Sequence, residues 1–197
     1  ELHQFTERLA APKLDAIYQR VSDAGTSEEL VPMTFDDVCV LTPADTFNAF
    51  YIFHHLWHHV SSMGLGLRQV CDWAVFLHTH AGRLHLASLR QWLCDLGLYD
   101  VWQVFGCMVV RHLTLPADEM PFYDAHKSRR ADKLLCYLLD EGDNFGFKYG
   151  RSEKPLLRKA ATFRYIHRKL WRLLPIFPRV ALRIYFQSLI DAVKKTF

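Results

Sequence analysis

The stretch TPADTFNAFYIFHHLWHHVS, residues 42–61, carries the strongest fold signal in the chain. Threonine followed by proline is typical of a helix start, which makes Thr42 the expected N-cap and puts Pro43 in the first turn. The residues that follow are apolar or aromatic nearly all round, as in a helix that is buried on most sides. We therefore expect a central buried helix that ends near Ser61.

Helical patterns continue on both sides of this stretch. Upstream, residues 13–24 repeat apolar side chains at helical spacing, and Gly25 is expected to stop that helix. Further helices are predicted over residues 67–80, 85–96, 100–113, 130–141, 153–174 and 179–195. Short β-like runs over residues 30–35 and 37–41 predict a small hairpin. The expected fold class is mainly α: a multi-helix bundle with a small two-stranded β element near the amino terminus.

The composition limits the classes of protein to which the chain can belong. Half of the residues are hydrophobic and 14% are aromatic, which is enough for a packed core. No run of about eighteen uncharged apolar residues occurs, so we expect no membrane span. Five cysteines without a CxxC pair favour reduced thiols and a cytoplasmic location. The chain begins at Glu1 without a methionine, which favours a processed chain or a fragment.

Charge is distributed unevenly along the chain. From Lys148 to the end there are 13 Lys and Arg against 2 Asp and Glu, although the net charge of the whole chain is only +3. At 100° per residue, one side of the predicted helix 153–174 is basic. Its arginines are Arg158, Arg164, Arg168 and Arg172. A solvated face, nucleic acid, a membrane surface and an acidic partner all remain open for this side.

A histidine cluster, His54-His55-Leu56-Trp57-His58-His59, lies within the central helix. The pairs His54/His58 and His55/His59 are four residues apart, so either pair could share one helix face. No HExxH motif and no His-Asp dipeptide occurs, which removes the usual signatures of helical metalloproteases and metal phosphohydrolases. Core histidines, substrate-facing histidines and a metal site remain open, with His54 and His58 as the substrate-binding candidates.

Arg68 and Asp72 are four residues apart in the next predicted helix, among apolar neighbours. A buried charge must be paired or it costs several kcal/mol, so we expect a buried Arg68–Asp72 neighbourhood. A structural ion pair and the binding of an anionic ligand are the two interpretations. Both residues are therefore substrate-binding candidates.

Four motifs in a fixed order resemble one family. They are Glu1-Leu2-His3, the histidine cluster, Gly66-Leu67-Arg68-Gln69-Val70-Cys71-Asp72-Trp73, and Gly142-Asp143-Asn144-Phe145-Gly146. Together they resemble the uncharacterised bacterial nucleotidyltransferases of the polymerase-β-like superfamily, most closely members found in gut Bacteroidetes. The resemblance spans about residues 1–150.

The resemblance implies an α/β domain with a Gly-Ser turn and an Asp-x-Asp pair that hold Mg²⁺ and a nucleoside triphosphate. A third carboxylate comes from a later strand, and Glu1 matches its position, as both a catalytic residue and a metal ligand. This chain contains neither the Gly-Ser turn nor an Asp-x-Asp pair. It is then expected to be one helical domain, residues 1–197, that does not catalyse alone. Residues 1–41 would form the junction to the α/β domain, residues 42–150 the helical core, and residues 151–197 the basic helices.

Two functions follow as expectations. The first is the nucleotide- or acceptor-side helical domain of a nucleotidyltransferase, which transfers a nucleotidyl group from a nucleoside triphosphate to an unknown acceptor. The alternative is a non-catalytic helical module that binds nucleic acid or an acidic partner through the basic face, residues 158–172.

Overall fold

A computed structural model describes residues 9, 11–27, 30–61, 66–140, 164, 167–183, 185 and 186. The predicted fold class is confirmed: the protein is mainly helical, with one two-stranded antiparallel sheet near the amino terminus. The elements are α1 Pro12–Ser27, β1 Leu30–Phe35, β2 Val38–Pro43, α2 Asp45–Ser61, α3 Leu67–His80, α4 Leu86–Asp95, α5 Tyr99–His112 and α6 Ser128–Leu139. Short 3-10 turns cover Ala81–Arg83 and Ala125–Lys127, and residues 167–173 and 178–183 are helical.

The core lies where α2, α3 and α5 meet. Phe53 of α2 lies 5.3 Å from Trp73 of α3 and 4.8 Å from Trp102 of α5, measured between ring centroids. The two tryptophan rings meet edge-on at 4.9 Å, an arrangement that the charge distribution of aromatic rings favours. The indole N–H of Trp102 donates to the carbonyl oxygen of Pro121 at 2.8 Å, so this buried donor is satisfied. As expected from the sequence, α2 is the central helix.

The hairpin, Leu30–Pro43, turns at Asp36-Asp37. Both aspartates have positive φ, 44° and 64°, as the central residues of a type I′ turn require. Phe35 pairs with Val38 and Leu30 with Pro43 at the two ends of the ladder. Most side chains of the hairpin are exposed, so it forms an outer arm of the bundle rather than part of its core.

Two predicted helix boundaries are wrong, each because another contact takes precedence. Thr42 is not an N-cap: it lies in β2, where its hydroxyl donates to the carbonyl oxygen of Val31 at 3.1 Å, and α2 begins at Asp45. Gly25 does not stop α1, which continues to Ser27. Gly25 is buried against the ring of Phe47, so the missing side chain serves a close approach between α1 and α2.

The described residues 164, 167–183, 185 and 186, called the basic segment below, pack on the bundle through Phe177. This side chain is 1% exposed, and its ring lies 5.2 Å from Trp57 and 6.0 Å from Phe105. Arg130 of α6 donates from Nε to the carbonyl oxygen of Ile176. The contacts therefore link the segment to α2, α5 and α6.

Arg130 also forms an ion pair with Asp100 at the start of α5, 2.6 Å between Nη2 and Oδ2. Lys127 approaches the same carboxylate at 2.9 Å. Hydrogen bonds from Arg130, with a smaller contribution from Lys127, lower the pKa of Asp100 from 3.8 to about 2, although partial burial opposes the shift. The charged form of Asp100 thus stabilises the junction of α5, α6 and the basic segment.

All five cysteines are free thiols. Cys107 is buried, and burial raises the pKa of its thiol. Three others, Cys39, Cys94 and Cys136, are exposed. Among the described residues no single helix is long and apolar enough to cross a membrane; only α4 and α5 together pass that test, and they are bent by 120°.

Candidate functional site

A cleft of about 270 Å³ opens between α2 and α3. It is lined by Tyr51, Ile52, His55, Leu56, Gln69 and Asp72. The four α2 residues form two pairs at a spacing of four, and the two α3 residues are three apart, so each helix presents one face. Ile52 and Leu56 supply an apolar wall, whereas His55, Gln69 and Asp72 supply polar groups. Such a mixture is typical of small-ligand sites.

The histidines of α2 face in different directions. His54 is 3% exposed and stacks on Tyr18 of α1 at 4.2 Å, so it lies in the core and outside the cleft. His55, the next residue, is exposed and lines the cleft. His59 lies one turn further on, with 3.0 Å between the two Nε2 atoms. One of these rings must donate and the other accept, so the bond couples their tautomers.

The prediction of His54 and His58 as the substrate-facing pair is therefore not supported by their positions. His54 lies among aromatic rings, and His58 is half-buried and does not line the cleft. The reason is packing: the side of α2 that carries His54 meets Tyr18 of α1, whereas the side that carries His55 faces α3. His55 replaces His54 as the candidate.

Arg68 and Asp72 were expected to be buried, and that prediction is wrong. Both side chains are exposed, and no ion pair joins them in the part of the chain that the structure describes. The buried face of α3 consists of Val70, Trp73, Ala74 and Leu77. Their spacing of three and four residues leaves positions 68 and 72 on another side of the helix. Asp72 still lines the cleft, so its candidacy as a ligand contact remains open.

Besides lining the cleft, Gln69 forms a hydrogen bond at the start of α3. Its Oε1 accepts a hydrogen bond from the backbone N–H of Gly66 at 3.1 Å, which satisfies a donor at the helix end. The side-chain amide is thereby held in one orientation beside Asp72. Sequence reasoning did not select Gln69, Tyr51 or His55, although a helical wheel of α2 centred on Phe50, Phe53 and Trp57 would have placed Tyr51 and His55 together on the other face.

Metal ligation finds no support among the described residues, in which no three His, Cys, Asp or Glu side chains converge. Glu1, the predicted catalytic and metal-binding residue, lies outside them, as do Arg158 and the Gly142–Gly146 motif.

The arginines of the predicted basic face do not all lie on an open surface. Arg164 and Arg168 are exposed, as expected. Arg172 instead donates to Asp140 at 2.8 Å, and its guanidinium lies 4.8 Å from the ring centroid of Tyr137. Because its partners belong to α6 and the residue after it, Arg172 joins the basic segment to the bundle rather than extending an open face.

Comparison with known proteins adds no relative: no protein-family model, no curated protein and no solved structure matches this chain.

Proposed function

We propose that this chain is the helical nucleotide- or acceptor-side part of a nucleotidyltransferase-like protein. The observation that carries the proposal is the α2–α3 cleft. Two of the four motifs behind the resemblance, the histidine cluster and the Gly66–Trp73 stretch, lie on the two helices that form it. Each contributes polar side chains: His55 from the first, and Gln69 with Asp72 from the second.

Each of these groups suits a nucleotide or a sugar. The carboxylate of Asp72 can accept hydrogen bonds from hydroxyl groups, and the Gln69 amide can donate and accept. His55 can hydrogen-bond a ligand while the bond to His59 determines its tautomer. Arg68 is exposed one turn before Asp72, where its guanidinium can meet the phosphates of a bound nucleotide.

Nucleotidyl transfer joins an acceptor oxygen to the α-phosphorus of a nucleoside triphosphate and releases pyrophosphate. When bound, Mg²⁺ would neutralise the phosphates in such a reaction. The described residues do not fit a Mg²⁺ site, because no three suitable ligands converge. The role proposed for the cleft is therefore to bind and orient a nucleotide or acceptor, not to hold the metal.

Thermal denaturation with each of ATP, CTP, GTP and UTP, with Mg²⁺, tests the proposal. It should be run on the 197-residue chain and on any longer natural polypeptide that contains it. We expect one nucleotide to raise the melting temperature, because a ligand that binds only the folded state stabilises it by mass action. With His55→Ala or Asp72→Asn, the nucleotide concentration needed for the same rise in melting temperature should increase about tenfold or more. That is the cost of losing a hydrogen bond to a charged group.

Asp118→Asn is the matched control. It removes the same charge from an exposed position that does not line the cleft, and the nucleotide response should be unchanged. The proposal would be refuted if none of the four nucleotides raised the melting temperature of the 197-residue chain or of the longer polypeptide. A response that Asp118→Asn weakens as much as Asp72→Asn would place binding outside the cleft.

A further inference from the structure

Three large apolar side chains of the basic segment are open to solvent. Trp171 is 69% exposed, Phe186 60% and Leu182 44%. Removing such side chains from water is favourable, so three of them in one short segment favour contact with an apolar partner. Several exposed apolar side chains in one short segment favour an interaction surface there.

The exposed apolar residues alternate with arginines along both helical stretches. Arg179, Leu182, Arg183 and Phe186 have the spacing of one helix face, and all four are exposed. Arg164, Arg168 and Trp171 repeat the pattern on the other stretch and are exposed as well. Residues 154–190 contain nine Lys and Arg and no Asp or Glu. Among the described residues, four of these cations are exposed: Arg164, Arg168, Arg179 and Arg183. The exposed surface therefore carries cations and apolar side chains together and suits an anionic partner.

The opposite face of the segment holds this surface in place. Leu173, Ile176, Phe177 and Ala181 are buried against the bundle. Arg130 and Arg172 add hydrogen bonds to Ile176 and Asp140. Because the inner face is occupied, the exposed arginines and apolar side chains lie on the outer face of each helical stretch.

We propose that this outer face binds the surface of a lipid membrane that carries anionic headgroups. Trp171, Leu182 and Phe186 enter the interfacial layer, where aromatic and aliphatic side chains are both stabilised. Arg164, Arg168 and Arg179, all exposed, bind lipid phosphates, each strengthening the attraction to an anionic leaflet. The helices lie on the surface; the inference requires no membrane span.

A membrane surface explains the composition better than a nucleic acid does. A single-stranded polynucleotide gains from arginines and from rings on which bases stack, so it would account for Trp171 and Phe186. It gives no reason for Leu182, which offers no stacking face yet lies between Arg179 and Phe186 on the same stripe. The apolar layer beneath lipid headgroups accommodates all three side chains.

Co-sedimentation with phosphatidylcholine vesicles, with and without phosphatidylglycerol, tests the proposal. Binding should require phosphatidylglycerol and should weaken with salt. Arg179→Gln should weaken it about fivefold, as expected for one cation near an anionic surface. The combined Trp171→Ala, Leu182→Ala and Phe186→Ala variant should weaken it by a factor of about ten or more. Arg129→Gln and Val75→Ala change equally exposed positions elsewhere and should bind like the original chain.

Quenching of tryptophan fluorescence by brominated phospholipid gives a second measurement, which does not depend on variants with altered affinity. Trp57, Trp73 and Trp102 are buried, and Trp92 is half-buried, so Trp171 should dominate the quenching. Trp171→Phe keeps an apolar ring and should still bind, but most of the quenching should disappear.

Three results would overturn the proposal. They are failure to bind anionic vesicles, binding that the control variants weaken equally, and quenching that persists in Trp171→Phe. A further outcome would identify nucleic acid as the partner instead. In that case the chain binds an oligonucleotide but no vesicles, and Leu182→Ala leaves the oligonucleotide binding unchanged. These outcomes are independent of the nucleotide tests on the α2–α3 cleft.

Discussion

Replacing Gly25 by alanine sets a helix propensity against a steric contact, and the structure indicates which effect is larger. In the interior of a helix, alanine is preferred over glycine by about 0.5–1 kcal/mol. At Gly25, however, an added Cβ would overlap the Phe47 ring at three of its carbons. Inserting a methyl group into a packed site typically costs about 1–3 kcal/mol, more where the neighbour is rigid.

Phe47 has little room to yield. It is 2% exposed, stacks on Tyr51 at 5.9 Å, and lies 6.3 Å from the ring of Phe50. We therefore expect the steric cost to exceed the gain in propensity and Gly25→Ala to lower the free energy of unfolding by about 2 kcal/mol. For a chain of this size that corresponds to a fall in melting temperature of about 4–8 °C.

Urea unfolding followed by circular dichroism measures the change, and a double-mutant cycle identifies its cause. Removing the ring with Phe47→Ala deletes all three contacted carbons and should relieve the overlap, so the double variant should lose at least about 1 kcal/mol less than the sum of the two single losses. Gly82→Ala is the control, since an added Cβ there would meet no atom within 4 Å. Additive single losses, or a Gly25→Ala chain more stable than the original, would refute the reasoning.

Three further predictions concern other contacts. The folded-state pKa of Asp100, about 2, is below its ordinary 3.8, so its stabilisation is complete above about pH 4, declines below that and is lost as the pH falls through about 2. Since Asp100 is half exposed, Asp100→Asn should cost about 1 kcal/mol at pH 7 and clearly less at pH 2, where about half of the carboxyl groups are protonated, measured by urea unfolding across that range. Phe177→Ala should lower the free energy of unfolding by about 3–5 kcal/mol by urea titration, because it leaves a cavity between Trp57 and the core. Asp37→Gly should relieve the positive φ of 64° and slow amide exchange in the hairpin about fivefold, the equivalent of about 1 kcal/mol.

Each of these has a result that contradicts it. An Asp100→Asn chain whose destabilisation is the same at pH 2 and pH 7 would exclude the ion pair with Arg130 as the cause. A loss below about 1 kcal/mol for Phe177→Ala would mean that the basic segment contributes little to stability. Faster hairpin exchange in Asp37→Gly would show that the aspartate side chain, rather than backbone freedom, maintains the turn.

Local patterns alone predicted most of the secondary structure. The bounds of α3 agree with the predicted residues 67–80, and the hairpin turns at the aspartate pair between the two β-like runs. Helix periodicity and turn chemistry depend on neighbours within a few residues, which is why one sequence suffices to read them. The same patterns identified α2 as the helix at the centre of the bundle.

The direction in which each polar side chain faces depended on the packing of distant elements. His54 is buried because Tyr18 of α1 stacks on it, whereas His55, one residue later, faces the cleft formed with α3. Arg172 was grouped with an open basic face by its spacing, but Asp140, 32 residues earlier in the chain, binds it.

The sequence by itself therefore determined most helices of the described residues, the hairpin and the basic composition of the segment after Lys148. Only the tertiary structure decided which polar residues share the α2–α3 cleft and which arginines remain exposed beside Trp171, Leu182 and Phe186. The physical reason is that periodicity defines the apolar stripe of a helix, but the angle and contact at which two helices cross decide what covers its remaining faces.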